Sequence, residues 1–157
     1  MNSYLLIKWL HIVSSVILVG TGFGSAFYLF FVNRGRNLAA QVVVLKLVIR
    51  ADFWFTTPAV IIQPISGLIL AQMANFDLTS GWLFWALMLY GFAGLCWLPV
   101  VWIQIRMYQL ANSAYQNAQA LPQEYERLVK AWEWLGYPAF ISMLIIYWLM
   151  VNKPLSL

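Results

Sequence analysis

Polar side chains are so sparse along this chain that its apolar positions merge into four long runs: Trp9 to Asn33, Phe53 to Phe76, Leu78 to Ile105, and Trp134 to Asn152. Each run is close to or above the roughly 20 helical residues needed to cross the hydrocarbon core of a bilayer. The pattern predicts an all-α membrane protein with four transmembrane helices in an up-down bundle. The approximate spans are 4–33, 53–76, 80–106 and 132–152, all within one integral membrane domain covering residues 1–157.

The polar interruptions place the ends of these helices. Asn33, Arg34, Gly35 and Arg36 combine a breaker with charge and close the first helix. That first run is longer than a signal-peptide core and lacks a small-x-small cleavage site before a soluble body, so it reads as a permanent anchor. Between Asn37 and Asp52 the chain is apolar except for Gln41, Lys46 and Arg50, with Lys46 and Arg50 four apart on one helical face. This stretch either lies along the inner interface or extends helix two. Pro58 and Pro64 each remove a backbone donor and predict a bent second helix, whose lost bonds neighbouring helices offset. After the Asn75 to Gly81 turn, helix three is expected to run past the membrane through the Gln- and Asn-rich Met107 to Ala120, until Leu121 and Pro122 break it. Pro122 suits the opening of helix four, and Glu124 and Glu126 suit the positive end of its dipole. Pro138 is expected to kink that helix before it ends at Asn152, Lys153 and Pro154.

Composition fixes the environment. The 157 residues are 63% hydrophobic and 9% charged, against about 25% charged in an ordinary soluble domain. Mean hydropathy is +0.77. Trp9, Trp54, Trp82, Trp85, Trp132, Trp134 and Trp148 fall near the ends of the runs, where amphipathic rings favour the headgroup boundary. The formal charge of +4 is explained by topology rather than by nucleic acid. Seven cations (Arg34, Arg36, Lys46, Arg50, Arg106, Arg127, Lys130) lie on the two longer loops, against Lys8 and Lys153 elsewhere. The positive-inside rule then puts both longer loops in the cytoplasm, and both termini and the Asp77 to Gly81 turn outside. The basic loops also suit contact with anionic lipid. Cys96 is the lone cysteine, which excludes a disulfide framework, and it is expected to pack as a small hydrophobe.

Candidate chemistry centres on His11, the only histidine, about a turn inside Lys8. An ionisable group within a span is a functional hypothesis by default. At about 100° per residue, Ser14, Ser15, Gly22 and Ser25 share its face. His11 either bonds a neighbouring helix or headgroup, or serves as the axial ligand of a haem b. Ser15, Gly22 and Met88 complete the candidate cofactor site. Gly22 would give the flat ring room, and Met88 is one of several groups at similar depth, with Met73, Tyr90 and Met150. The sixth position could equally go to a second copy's His11 or stay open. Gly20 and Gly24 point to the opposite side as a Gly-x-x-x-Gly pair and suggest close helix approach or a homo-oligomer.

On helix two, Thr56, Gln63, Ser66 and Gly67 share a broad face. Gln63 can bond a quinone or a propionate, or make the commoner interhelical bond. At the inner boundary Arg50, Asp52, Arg106, Lys130 and Glu133 are expected to meet as ion pairs and lipid contacts. Hydrolysis has no support, since a single His without a helically spaced acid forms neither a zinc site nor a triad. The string from Gly20 to Gly24 lies inside a span with no strand before it, so it is not a phosphate loop.

Lys8, Trp9, Leu10, His11, Ile12, Val13 and Ser14, followed by the Gly-rich first helix, resemble an uncharacterised bacterial family of integral membrane proteins, over the whole chain. The same opening also resembles, more distantly, the membrane protoporphyrinogen IX oxidases and their copper-resistance relatives. That likeness extends to Thr57, Pro58 and Ala59 with Gly67 and Leu68, and to Pro138 with Val151, Asn152, Lys153 and Pro154. It implies a bacterial inner membrane location, haem b held by the first-helix histidine, and oxidoreductase activity. The oxidase family carries a further histidine in its third helix, and the matching stretch here, Tyr90 to Cys96, carries none.

Two functions are therefore expected side by side. One is a haem-binding redox protein exchanging electrons with a quinone-like or other redox partner. The other is a non-enzymatic membrane subunit or a bundle that binds lipid or a small molecule. A transporter is disfavoured, because no acidic residue sits mid-span to couple ions.

Overall fold

The structure is a computed structural model that describes residues 2–78 and 81–153. All of its regular structure is helical: α1 (Ser3–Gly35), α2 (Leu38–Ala51), α3 (Thr57–Met73), α4 (Gly81–Gln116) and α5 (Gln123–Asn152). A π-helical turn, Asp52–Thr56, joins α2 to α3 without a break, so the described residues fold into four rods. The stretch between Asn37 and Asp52 thus extends helix two rather than forming a separate surface helix. Gln41, Leu45 and Val48 bury one side of α2, while Lys46 and Arg50 stay exposed. Pro58 follows directly on the wide turn. There the Thr57 N–H reaches back to the Asp52 carbonyl, a five-residue step that relaxes the backbone just ahead of the ring.

Local signals set the rod ends. Asn2 and Asn37 cap α1 and α2 with their side-chain oxygens. Arg36 adopts a left-handed conformation after α1, as Asn75, Ala118 and Lys153 do at later helix ends. Pro64 lies inside α3, and the Val60 carbonyl it leaves without a helical donor accepts a bond from Tyr90 Oη at 2.8 Å.

Three helices among the described residues, α1, α4 and α5, are long and apolar enough to cross a membrane. They leave many large apolar side chains uncovered: Trp134, for example, is 78% exposed. Surfaces of this kind require a lipid solvent. Five of the seven tryptophans expected at the boundary are exposed, but Trp82 and Trp132 are buried. Those two anchor packing at opposite ends of the bundle instead, because a tryptophan ring can turn inward wherever two rods converge.

Packing is uneven. α4 lies along α5, while α1 lies along α3 and α2, and α2 bridges to α4. One apolar cluster, including Leu29, Leu45, Met107 and Tyr125, closes the α2 end. A second, including Ala71, Trp82 and Ile146, closes the other end. Between them α1 stands off from α4 and α5 and reaches α5 through long side chains: Phe23 stacks on Phe140, and Tyr147 Oη bonds the Ser15 carbonyl. Gly20 and Gly24 face away from the chain, with nothing within 4 Å of a Cβ built on either. The close helix approach expected there is not made within one chain. Cys96 is buried and free.

Candidate functional site

The polar face of α1 divides into two halves with different neighbours. In the half nearer the N-terminus, His11 and Ser14 meet Gln63, Ser66 and Gly67 of α3. His11 Nδ1 lies 2.9 Å from Ser66 Oγ, and Nε2 lies 3.2 Å from Gln63 Nε2. Ser14 donates to Gln63 Oε1. Since Ser66 Oγ donates to the Ile62 carbonyl at 2.7 Å, its oxygen accepts from His11 Nδ1–H. The Gln63 amide then donates to a bare Nε2, and every partner is consistent with one neutral tautomer. Gly67 makes the approach possible, as a Cβ there would lie 3.1 Å from His11 Cε1 and 3.6 Å from Nδ1. The interhelical bond expected of Gln63 is made.

This geometry does not fit a haem. Iron would have to take Nε2 from Gln63, and Nδ1 is already held by Ser66 with the ring close against Gly67 of α3. Met88 is 53% exposed on the outer surface. Ser15 Oγ donates to the Ile12 carbonyl in its own helix. Gly22 belongs to the other half of the face, away from the imidazole. The four residues expected to form one cofactor site are therefore not brought together. Among the described residues no three His, Cys, Asp or Glu side chains cluster at metal-binding distance.

The half of the α1 face nearer its C-terminus lines a cavity of about 450 Å³ that lies between α1, the start of α3, α4 and α5. Its walls are aromatic, with Phe23, Phe27, Phe30, Trp97, Trp132 and Phe140 among them, and it gains width from Gly22, Gly94 and Gly136. Phe23, Phe27, Tyr137 and Phe140 are exposed as well as lining it, so its open side is the seam between α1 and α5. The sequence held one hint of this space, a glycine on each of three helices. What it could not show is that the three glycines line one cavity.

One end of the cavity is polar. Asp52, 5% exposed, accepts from Thr56 Oγ1 at 2.8 Å, and the Gln104 side chain lies beside it. Glu133 lies nearby on the lining and pairs with Arg34 at 3.1 Å, whose guanidinium stacks over Phe30. The ion pairs expected at this boundary are thus redistributed: Arg50 is exposed, Asp52 takes neutral partners, and Arg106 grips Glu124 with two bonds of 2.7 and 3.2 Å. That grip holds the exposed Glu124 carboxyl below the usual carboxylate range. Gln104 was missed in the sequence because it follows a long apolar stretch and shares no motif with Asp52.

Residues 5–154 match a protein family described as predicted integral membrane protein (DUF2269). No curated protein and no solved structure matches, so the likeness to protoporphyrinogen IX oxidases finds no support there.

Proposed function

From the premise that this chain belongs to the DUF2269 family of predicted integral membrane proteins, we propose that it is a four-span bundle that binds a lipid or other apolar small molecule within the bilayer. The fourth crossing is the α2 to α3 rod. α3 has 17 residues, about 26 Å at 1.5 Å per residue, and the exposed Phe53, Trp54 and Phe55 of the π-helical turn extend its apolar length. With seven cations on the two longer connections against two elsewhere, these connections face the cytoplasm and both termini face outward.

The observation that carries the binding reading is the aromatic cavity with its open side toward lipid. Small-molecule sites are concave, mostly apolar and largely pre-formed, with a few convergent polar groups. A packed bundle of this size would ordinarily leave few voids larger than a water molecule. Two helix pairs held apart at mid-depth, yet closed at both ends, suit reversible occupation by a molecule that enters sideways from the membrane.

The test is to purify the protein in native nanodiscs and extract bound apolar molecules for mass spectrometry. We expect a specific component enriched at near one per chain, reduced at least ten-fold in Gly94→Phe. That ring would project into the cavity, since nothing lies within 4 Å of a Cβ on Gly94. Bulk-lipid composition in both proteins would overturn the reading. The haem alternative is tested by an absorption spectrum of protein from haem-replete cells. With both imidazole nitrogens engaged, no Soret band is expected, and a band lost in His11→Ala would reverse that conclusion.

A further inference from the structure

The polar end of the cavity has a specific character that its apolar walls do not dictate. Gln104 is 4% exposed and lines the cavity, and its Oε1 has no hydrogen-bond partner. Its side chain lies beside Asp52, which takes the Thr56 hydroxyl. One acceptor of this cluster, Gln104 Oε1, is therefore left without a donor. A buried acceptor without a donor is costly, and the cost is larger in a low-dielectric interior. Beside it stand the carboxyl groups of Asp52 and of Glu133, the latter paired with Arg34.

We propose that the occupant is an amphipathic molecule with a hydrogen-bond-donor head, a hydroxyl or an amine, seated at Gln104 Oε1 with its apolar body between the Phe and Trp walls. This deepens the binding reading above and rests on it. Anionic heads are disfavoured at this position, because a carboxylate or phosphate beside Gln104 Oε1 would meet an acceptor oxygen next to the Asp52 carboxyl group. A head that only accepts is disfavoured as well: a quinol-type ring hydroxyl fits, and a quinone carbonyl does not. Because the polar end lies at the α2 end of the cavity, the head sits toward the cytoplasmic boundary. The body extends toward the bilayer centre and the α1 to α5 seam.

The experiment uses the full chain in nanodiscs with a photoreactive long-chain alcohol that carries a diazirine in its chain. Dodecanol, dodecylamine, dodecyl methyl ether and laurate serve as competitors at equal concentration in the bilayer. Labelling is expected on cavity-lining residues of α1, α4 and α5. The alcohol and the amine should compete about ten-fold better than the ether, the discrimination expected of one buried hydrogen bond, and laurate should compete no better than the ether. In Gln104→Leu the preference for alcohol over ether should vanish while labelling persists. Equal competition by alcohol and ether in the unaltered protein would overturn the head-group assignment and leave the cavity reading standing. Stronger competition by laurate would do the same. Labelling confined to the outer surface would overturn the cavity reading itself. A preference for only one of the two donor heads identifies which donor the site takes.

Discussion

Tyr125→Ala is expected to be among the most destabilising single changes in the chain, costing about 3–5 kcal/mol, the range for removing a large buried ring. Tyr125 is 1% exposed and sits in the cluster that closes the α2 end, among Leu29, Leu45 and Met107. Its hydroxyl donates to Asn33 Oδ1 at 2.7 Å, so one side chain ties α5 to the end of α1. Tyr125→Phe keeps the packing and loses only the bond, for about 1 kcal/mol. Denaturant titration of detergent-solubilised protein, followed by helical circular dichroism, separates the two. Similar losses in both variants would show that the ring is not what holds this end closed.

The same residue supplies a pH signature. Burial, with a smaller contribution from Glu126, pushes the Tyr125 phenol well above its ordinary range. The folded state therefore keeps its proton at pH values where the unfolded chain has released it. The contribution is fully present below the unfolded value of about 10 and is lost as pH rises above it. Stability should fall above about pH 10 in the unaltered protein and fall less steeply in Tyr125→Phe.

Parts of this architecture were plain in the chain and others were not, for reasons of distance. Runs of apolar residues long enough to cross a bilayer, and breakers such as Gly35 with Arg36 or Leu121 with Pro122, act within a turn or two of helix. The rods and most of their ends follow from them. The shared face of Gln63, Ser66 and Gly67 was legible in the same way, from helical periodicity. The π-helical turn was not, because Pro58 announces a disturbance without saying whether the backbone kinks or widens. Pairings across the bundle were further out of reach. Asp52 meets Gln104, Arg34 meets Glu133, and Tyr90 finds the carbonyl freed by Pro64. Each depends on how two rods are rotated and tilted, which side-chain order along one rod does not encode. The cavity is an extreme case, since it arises where α1 stands off from α4 and α5 rather than from any one segment.

His11 was legible as unusual but not as to purpose, and Gly67 provides the decisive test. A leucine there is expected to cost about 3 kcal/mol, at the upper end of ordinary overpacking. The added side chain would meet an imidazole that Ser66 and Gln63 hold from both nitrogens, so the ring cannot swing aside without losing bonds. His11→Ala alone is expected to cost less, about 1–2 kcal/mol, in line with polar contacts between membrane helices. Removing the ring also clears the space, so the double variant should be more stable than the sum of the two losses by at least 1 kcal/mol. Unfolding in mixed micelles titrated with a denaturing detergent gives the three free energies. Strict additivity would mean that the imidazole does not lie against Gly67. A histidine turned toward a ligand would give that result, whereas a histidine that fastens α1 to α3 gives strong coupling.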